Sequence, residues 1–116
     1  MSDSSVPEAP RSADNVFRAL SNSRRRRVVS CLAMAENGTM EIREIAAIIA
    51  AIEEGSVASE DVSRKFVTEI YHKLTDYHLQ PLSEIDVIEQ ERETVSTGSR
   101  FDKAHLMLVH GTNFEL

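Results

Sequence analysis

Tryptophan is absent from this chain of 116 residues, and aromatics make up only 5% of it. A core without large rings has to be built from Ile, Leu and Val, and at this length there is room for one such core. A single cysteine, Cys31, excludes an internal disulfide and any cysteine-cluster metal site. Its neighbours Val28, Val29 and Leu32 are apolar, so Cys31 reads as a small buried hydrophobe. Four glycines form no glycine-rich phosphate loop, and neither a nucleophile elbow nor a carboxylate pair in an apolar setting occurs. Catalysis is therefore not expected. A signal-peptide pattern and a membrane-length apolar run are also missing; Leu106 to Val109 is the longest strongly apolar stretch near either end. These absences lead to the expectation of a cytoplasmic protein.

Lysine is scarce too: arginine outnumbers it ten to three in a chain of net charge -6. Acidity with little lysine suits a protein of high intracellular salt, such as a halophilic archaeon maintains, although a GC-rich genome alone could produce the arginine bias. The charge is unevenly spread. Residues 11–27 hold six arginines (Arg11, Arg18 and Arg24 to Arg27) against Asp14, and residues 84–93 hold five acids against Arg92.

Hydrophobic spacing divides the chain. Residues 1–12, with Pro7 and Pro10, read as a disordered tail. A helix begins near Asp14, with Val16, Phe17 and Leu20 at helical spacing. Ser21-Asn22-Ser23 is a helix-start signal, since such side chains accept the free N–H groups of the next turn. The second helix runs from Arg24 to about Ala35 and is closed by Asn37-Gly38. Ile42, Ile45, Ile49 and Ile52 mark a third helix over 41–53. After a linker at 55–58, Ser59 is expected to cap a longer fourth helix at about 60–79. Glu60 and Asp61 would favour its dipole, and Val62, Phe66, Ile70 and Leu74 form an apolar stripe. Pro81 either stops or kinks it. Val87 to Glu89 and Thr94 to Ser96 then read as a hairpin closed by Gly98. A last helix runs through Phe101, Ala104 and Leu108. The expected fold is mostly α with a small β-hairpin, and the expected core is Leu20, Val28, Leu32, Ile45, Ile49, Phe66, Ile70, Leu74, Leu82 and Val87.

Ala19-Leu20 followed by Arg25, Arg27-Val28 and Leu32 resembles the opening of arsenic-repressor-like transcription regulators, and Glu44-Ile45-Ala46 is similar to a motif of their helix-turn-helix. His78-Leu79-Gln80-Pro81-Leu82, leading to Val87-Ile88, resembles a winged-helix domain family of unknown function abundant in haloarchaea. The resemblance covers about residues 14–97. It implies a winged helix-turn-helix: a three-helix core, a long recognition helix, a wing and a C-terminal helix. The domain would span 13–98, with 99–116 a helix packing on it or on a partner. Three departures stand out. Pro81 comes one residue late, Asp86 replaces a usual glycine, and the wing is acidic.

The outer face of the fourth helix carries Arg64, Lys65, Thr68 and His72, types that contact guanine, phosphate or thymine methyl in a major groove. The plain alternative is a solvated face of charge pairs. Arg24, Arg26 and Arg27 could touch phosphate, whereas Arg25 would be structural, pairing with an acid such as Glu44. His72 and His78 lie six apart, too far for a helical metal pair, so no metal and no cofactor is expected. The function implied is a DNA-binding transcription regulator reading the major groove of double-stranded DNA as a homodimer through its terminal helices, with no membrane and no small-molecule substrate evident. The alternative is a winged-helix protein-interaction module without DNA binding. The two are separated by one observation: the arginine cluster and Arg64 with Lys65 on one face favour DNA binding, and pointing apart they favour the interaction module.

Overall fold

The computed structural model describes residues 15–55 and 62–110. The expected tail at 1–12, most of the 55–58 linker, Ser59 to Asp61 and residues 111–116 lie outside the described residues. The described chain is mostly helical with one small antiparallel sheet.

A helix described over 15–19 (α1) buries Val16 and Ala19, and Leu20 follows it at 0% exposure. Helix α2, Ser23–Met34, starts where Asn22 accepts from the N–H groups of Arg24 and Arg25 at 2.9 and 3.2 Å. Of the three polar residues in the start signal, Asn22 is the cap. The helix ends at Met34, and Asn37 and Gly38, at φ of 65° and 64°, turn the chain through a short 3₁₀ segment, Glu36–Gly38. Strand β1, Thr39–Glu41, follows, and it was not expected from the sequence. Glu41 therefore belongs to a strand, and helix α3 is Ile42–Glu54. Its first N–H donates to the Glu93 carbonyl at 2.8 Å, so the helix springs directly from the sheet. Gly55, at φ 76°, closes α3 in the left-handed conformation that glycine adopts without steric cost.

Helix α4, Arg64–Lys73, corrects the expected start near residue 60: the cap is Ser63, whose hydroxyl accepts from the Phe66 N–H at 3.3 Å. Its first turn holds no acid, and Glu60 and Asp61 lie outside the described residues. A π turn, Leu74–His78, and a short helix α5, Leu79–Glu84, extend the same arm. Pro81 thus does not stop the arm. It occupies the first turn of α5, where a missing N–H is tolerated, directly after the widened turn.

Strands β2, Ile88–Glu91, and β3, Thr94–Thr97, form the expected hairpin, but the sheet has three strands in the order β1-β3-β2. Met40 faces Val95, and Gln90 faces Val95 from the other side. Helix α6, Phe101–Val109, packs on α2 with Phe101 and Ala104 buried, so the last helix covers its own core.

Nine of the ten expected core residues are buried. Phe66 is the exception, half-buried against the core. Ile52 breaks the expected α3 stripe at 47% exposure: it sits at the helix end, on the rim of a groove shared with Cys31, Met34, Met40 and Ile48. Each fully buried Leu or Ile contributes about 1.5–3 kcal/mol relative to exposure. Among the described residues, no helix is long and apolar enough to cross a membrane.

Candidate nucleic-acid interface

Helical spacing of 3.6 residues puts Arg64, Lys65, Thr68, Glu69 and His72 on one arc of α4, with Ile70 and Leu74 on the opposite arc. Burial follows this division. Ile70 and Leu74 are buried, Arg64, Lys65, Glu69 and His72 are exposed, and Thr68 is half-buried. The positive charge is concentrated in the first turn, which contains no acid. Two cations at the positive end of a helix dipole are placed against electrostatic preference, at a cost of about 0.3–1 kcal/mol each.

The hairpin is tied to this helix by Tyr71. Its hydroxyl donates to Glu93 Oε1 at 2.6 Å, and the Arg43 guanidinium of α3 lies 4.7 Å from the centre of its ring. The Glu93 carboxylate beside it raises the Tyr71 phenol above its ordinary range. The chain turns at Arg92, whose φ is 57°, and Glu89 to Glu93 are all exposed. The hairpin is an acidic surface held against the helix.

The arginines of α2 do not join this arc. Arg24 makes a two-pronged ion pair with Glu53 of α3, Nε and Nη2 donating at 2.6 and 2.7 Å. That pairing holds the Glu53 carboxyl below its usual range and raises Arg24. Arg25, expected to pair with Glu44, instead donates from Nε to His78 Nδ1 at 3.3 Å. Arg26 donates from Nη1 to the Leu20 carbonyl at 2.9 Å. His78 ends the π turn and is only 9% exposed. Burial first, and then Arg25, Arg24 and Lys73, push its pKa down. Fourteen residues separate Arg64 from His78, about 20 Å along a helical arm. The two basic groups therefore mark opposite ends of that arm and form no single patch.

Three features escaped the sequence reading: β1, the Arg24–Glu53 pair and the burial of His78. The last two share a signal, since the arginine run needed two acceptors, but only the fold brings residues 53 and 78 to residues 24 and 25. Cys31 is buried as expected. Burial and the nearby Glu44 push its thiol up to about 11 against a smaller opposing effect of Arg27, so it is unreactive. Among the described residues, no group of three or more His, Cys, Asp or Glu could hold a metal ion.

The fold and this surface define a small, mostly helical chain with a three-stranded antiparallel sheet and a long, polar-faced helix beside its hairpin. The model of a family described as a domain of unknown function (DUF7344) matches residues 17–96, more than half of the chain, and the chain belongs to that family. No curated protein and no solved structure matches it.

Proposed function

We propose that the protein is a winged-helix DNA-binding transcription regulator in which α4 reads the major groove. The observation that carries this reading is the exposed arc of Arg64, Lys65, Thr68 and His72 on the helix that follows α3, with the β2–β3 hairpin fixed beside it through Tyr71 and Glu93. Cations at the unfavourable end of the dipole support it, because a choice that lowers stability points to a demand other than stability. In this reading Arg24 is a structural residue held by Glu53, and the DNA contacts fall to α4. The regulator acts as a homodimer, which would present two α4 helices about 34 Å apart, one turn of duplex. Val16, Leu20 and Phe101 are buried within the fold. The exposed apolar side chains left on the terminal helices are Leu106 (57%), Val109 (61%) and Phe17 (44%). Genome-wide immunoprecipitation of the tagged protein, followed by gel shift on the recovered sites, tests the reading. Enrichment at discrete promoters supports it, and uniform background with no shift overturns it.

A second reading, a protein-interaction module without DNA binding, is favoured by the exposed acids Glu89, Glu91 and Glu93 and by the distance of the α2 arginines from Arg64. It predicts that no duplex is retained at any salt concentration.

A further inference from the structure

A cleft of about 510 Å³ opens between the start of α2, the end of α3 and the far end of the α4 arm. Arg24, Arg26, Arg27, Glu53 and His78 line it. Three guanidinium groups and one carboxylate around a single concavity are unusual in a chain of net charge -6. His78 adds a donor. It is nine-tenths buried, and its Nδ1 accepts from Arg25 Nε, so the proton of the neutral ring resides on Nε2. No hydrogen bond from that N–H is seen among the described residues, and none of their buried side-chain nitrogens or oxygens lacks a partner, so the N–H is open to solvent.

We propose that this cleft binds a phosphorylated small molecule, with Arg27 and Arg26 holding its phosphate and His78 Nε2–H donating to it. Guanidinium groups match phosphate oxygens in geometry and charge. The volume lies within the range of small-molecule sites and exceeds the need of a bare phosphate. Arg24 is the adjustable member, because an incoming dianion competes with Glu53 for its guanidinium. A small ligand suits the cleft better than a duplex backbone does: the site is concave, carries a carboxylate in its wall, and lies about 20 Å from Arg64. Since His78 belongs to the α4 arm, occupancy bears directly on the helix assigned to DNA. The binding itself stands whether or not α4 reads DNA.

Inorganic phosphate is the probe, titrated calorimetrically at constant chloride concentration with the ring nitrogens of His78 followed by NMR. One saturable site is expected, with the Nε2 resonance moving along the same isotherm. Arg27→Gln should weaken binding about tenfold, the loss of one charge-assisted contact. Glu53→Gln should tighten it severalfold by releasing Arg24, and thermal melts confirm that both variants are folded. Absence of saturation below about 10 mM phosphate in the unmodified protein overturns the proposal, being weaker than a specific site would give. Equal affinity in all three proteins also overturns it. So does a loss of duplex affinity in Arg27→Gln without any phosphate saturation, which would assign the cleft to the DNA backbone.

Discussion

Arg25 Nε and His78 Nδ1 meet at 3.3 Å, a bond that joins the second helix to the far end of the α4 arm and requires a neutral imidazole. Burial and three neighbouring cations, Arg25, Arg24 and Lys73, hold the folded pKa of His78 below its ordinary value near 6.5. The unfolded chain therefore takes up this proton more readily than the folded one. The contribution to stability is complete above pH 6.5 and is lost as pH falls from there towards the folded value. The Tm should decline from pH 7.5 to pH 5.5, and His78→Gln should flatten that slope. Glu53, with its pKa lowered by Arg24, acts in a separate window: its contribution is present above pH 4.5 and fades below it. A Tm unchanged between pH 7.5 and 5.5 in the unmodified protein would contradict the His78–Arg25 contact.

Burial ranks two substitutions in the α4 arm. Leu74→Ala should cost about 2–5 kcal/mol, the usual range for truncating a fully buried leucine. Phe66→Ala should cost distinctly less, because the ring is half-exposed. Urea unfolding of both variants measures the difference, and a reversed order would mean that the arm is rotated.

Gly98 allows no side chain. A Cβ at that position would overlap the Asp86 backbone carbonyl, which already accepts from the Arg100 N–H at 2.7 Å, and would press on the Ile88 nitrogen. Gly98→Ala should destabilise by about 1–3 kcal/mol, as forced overpacking does. Asp86 itself holds a φ of 65°, and Asp86→Gly should be tolerated within about 1 kcal/mol, since relief of strain and added chain entropy oppose each other. Thermal melts compare the two.

Salt dependence tests the DNA surface. Removing Arg64 or Lys65 as a phosphate contact should lower the slope of log affinity against log salt by about one unit each. Glu91→Ala should leave affinity equal or raise it. Binding that is indifferent to Arg64 and Lys65 but depends on residues 89–95 would place the hairpin, not α4, in the groove.

Sedimentation at several concentrations tests the dimer. Leu106→Glu combined with Val109→Glu should convert it to a monomer without lowering the Tm, because both side chains are exposed in the single chain. An unmodified 13.0 kDa species that persists at high concentration refutes the dimer.

Local chemistry explains what could be read in advance. Asn22 is recognisable as part of a cap signal from its own side chain, and the Ile42-Ile45-Ile49 stripe from its spacing. The turn at Gly98 is equally local. Strand β1 was illegible because Thr39, Met40 and Glu41 carry no strand pattern of their own; they are extended because the free edge of β3 takes them up. Ser59 and Ser63 are equally good caps by residue type, and only the fold selects the second. Ile52 continues a regular stripe and still emerges, since periodicity says where a side chain points but not whether anything lies over it. The partners of Arg24 and Arg25 depend on contacts 29 and 53 residues away, beyond any local rule.

The π turn at Leu74–His78 keeps the arm in phase. In an unbroken α-helix each residue advances about 100°, so Leu79 would point well away from the line of Ile70 and Leu74. One surplus residue in the widened turn resets the count, and Leu79 and Leu82 return to the buried side. Length within this turn therefore matters more than composition. Deleting any single residue from 75–77 would restore a regular helix with Leu79 four residues after Leu74, still on the buried side, but would set Pro81 within an ordinary helical turn that it cannot continue. Inserting a further residue there would instead advance everything beyond by about 100° and turn Leu79 and Leu82 towards water. Conservative replacements at Thr75, Asp76 or Tyr77 leave the count intact, so the five-residue spacing between Leu74 and Leu79 is the feature to compare across the family's members.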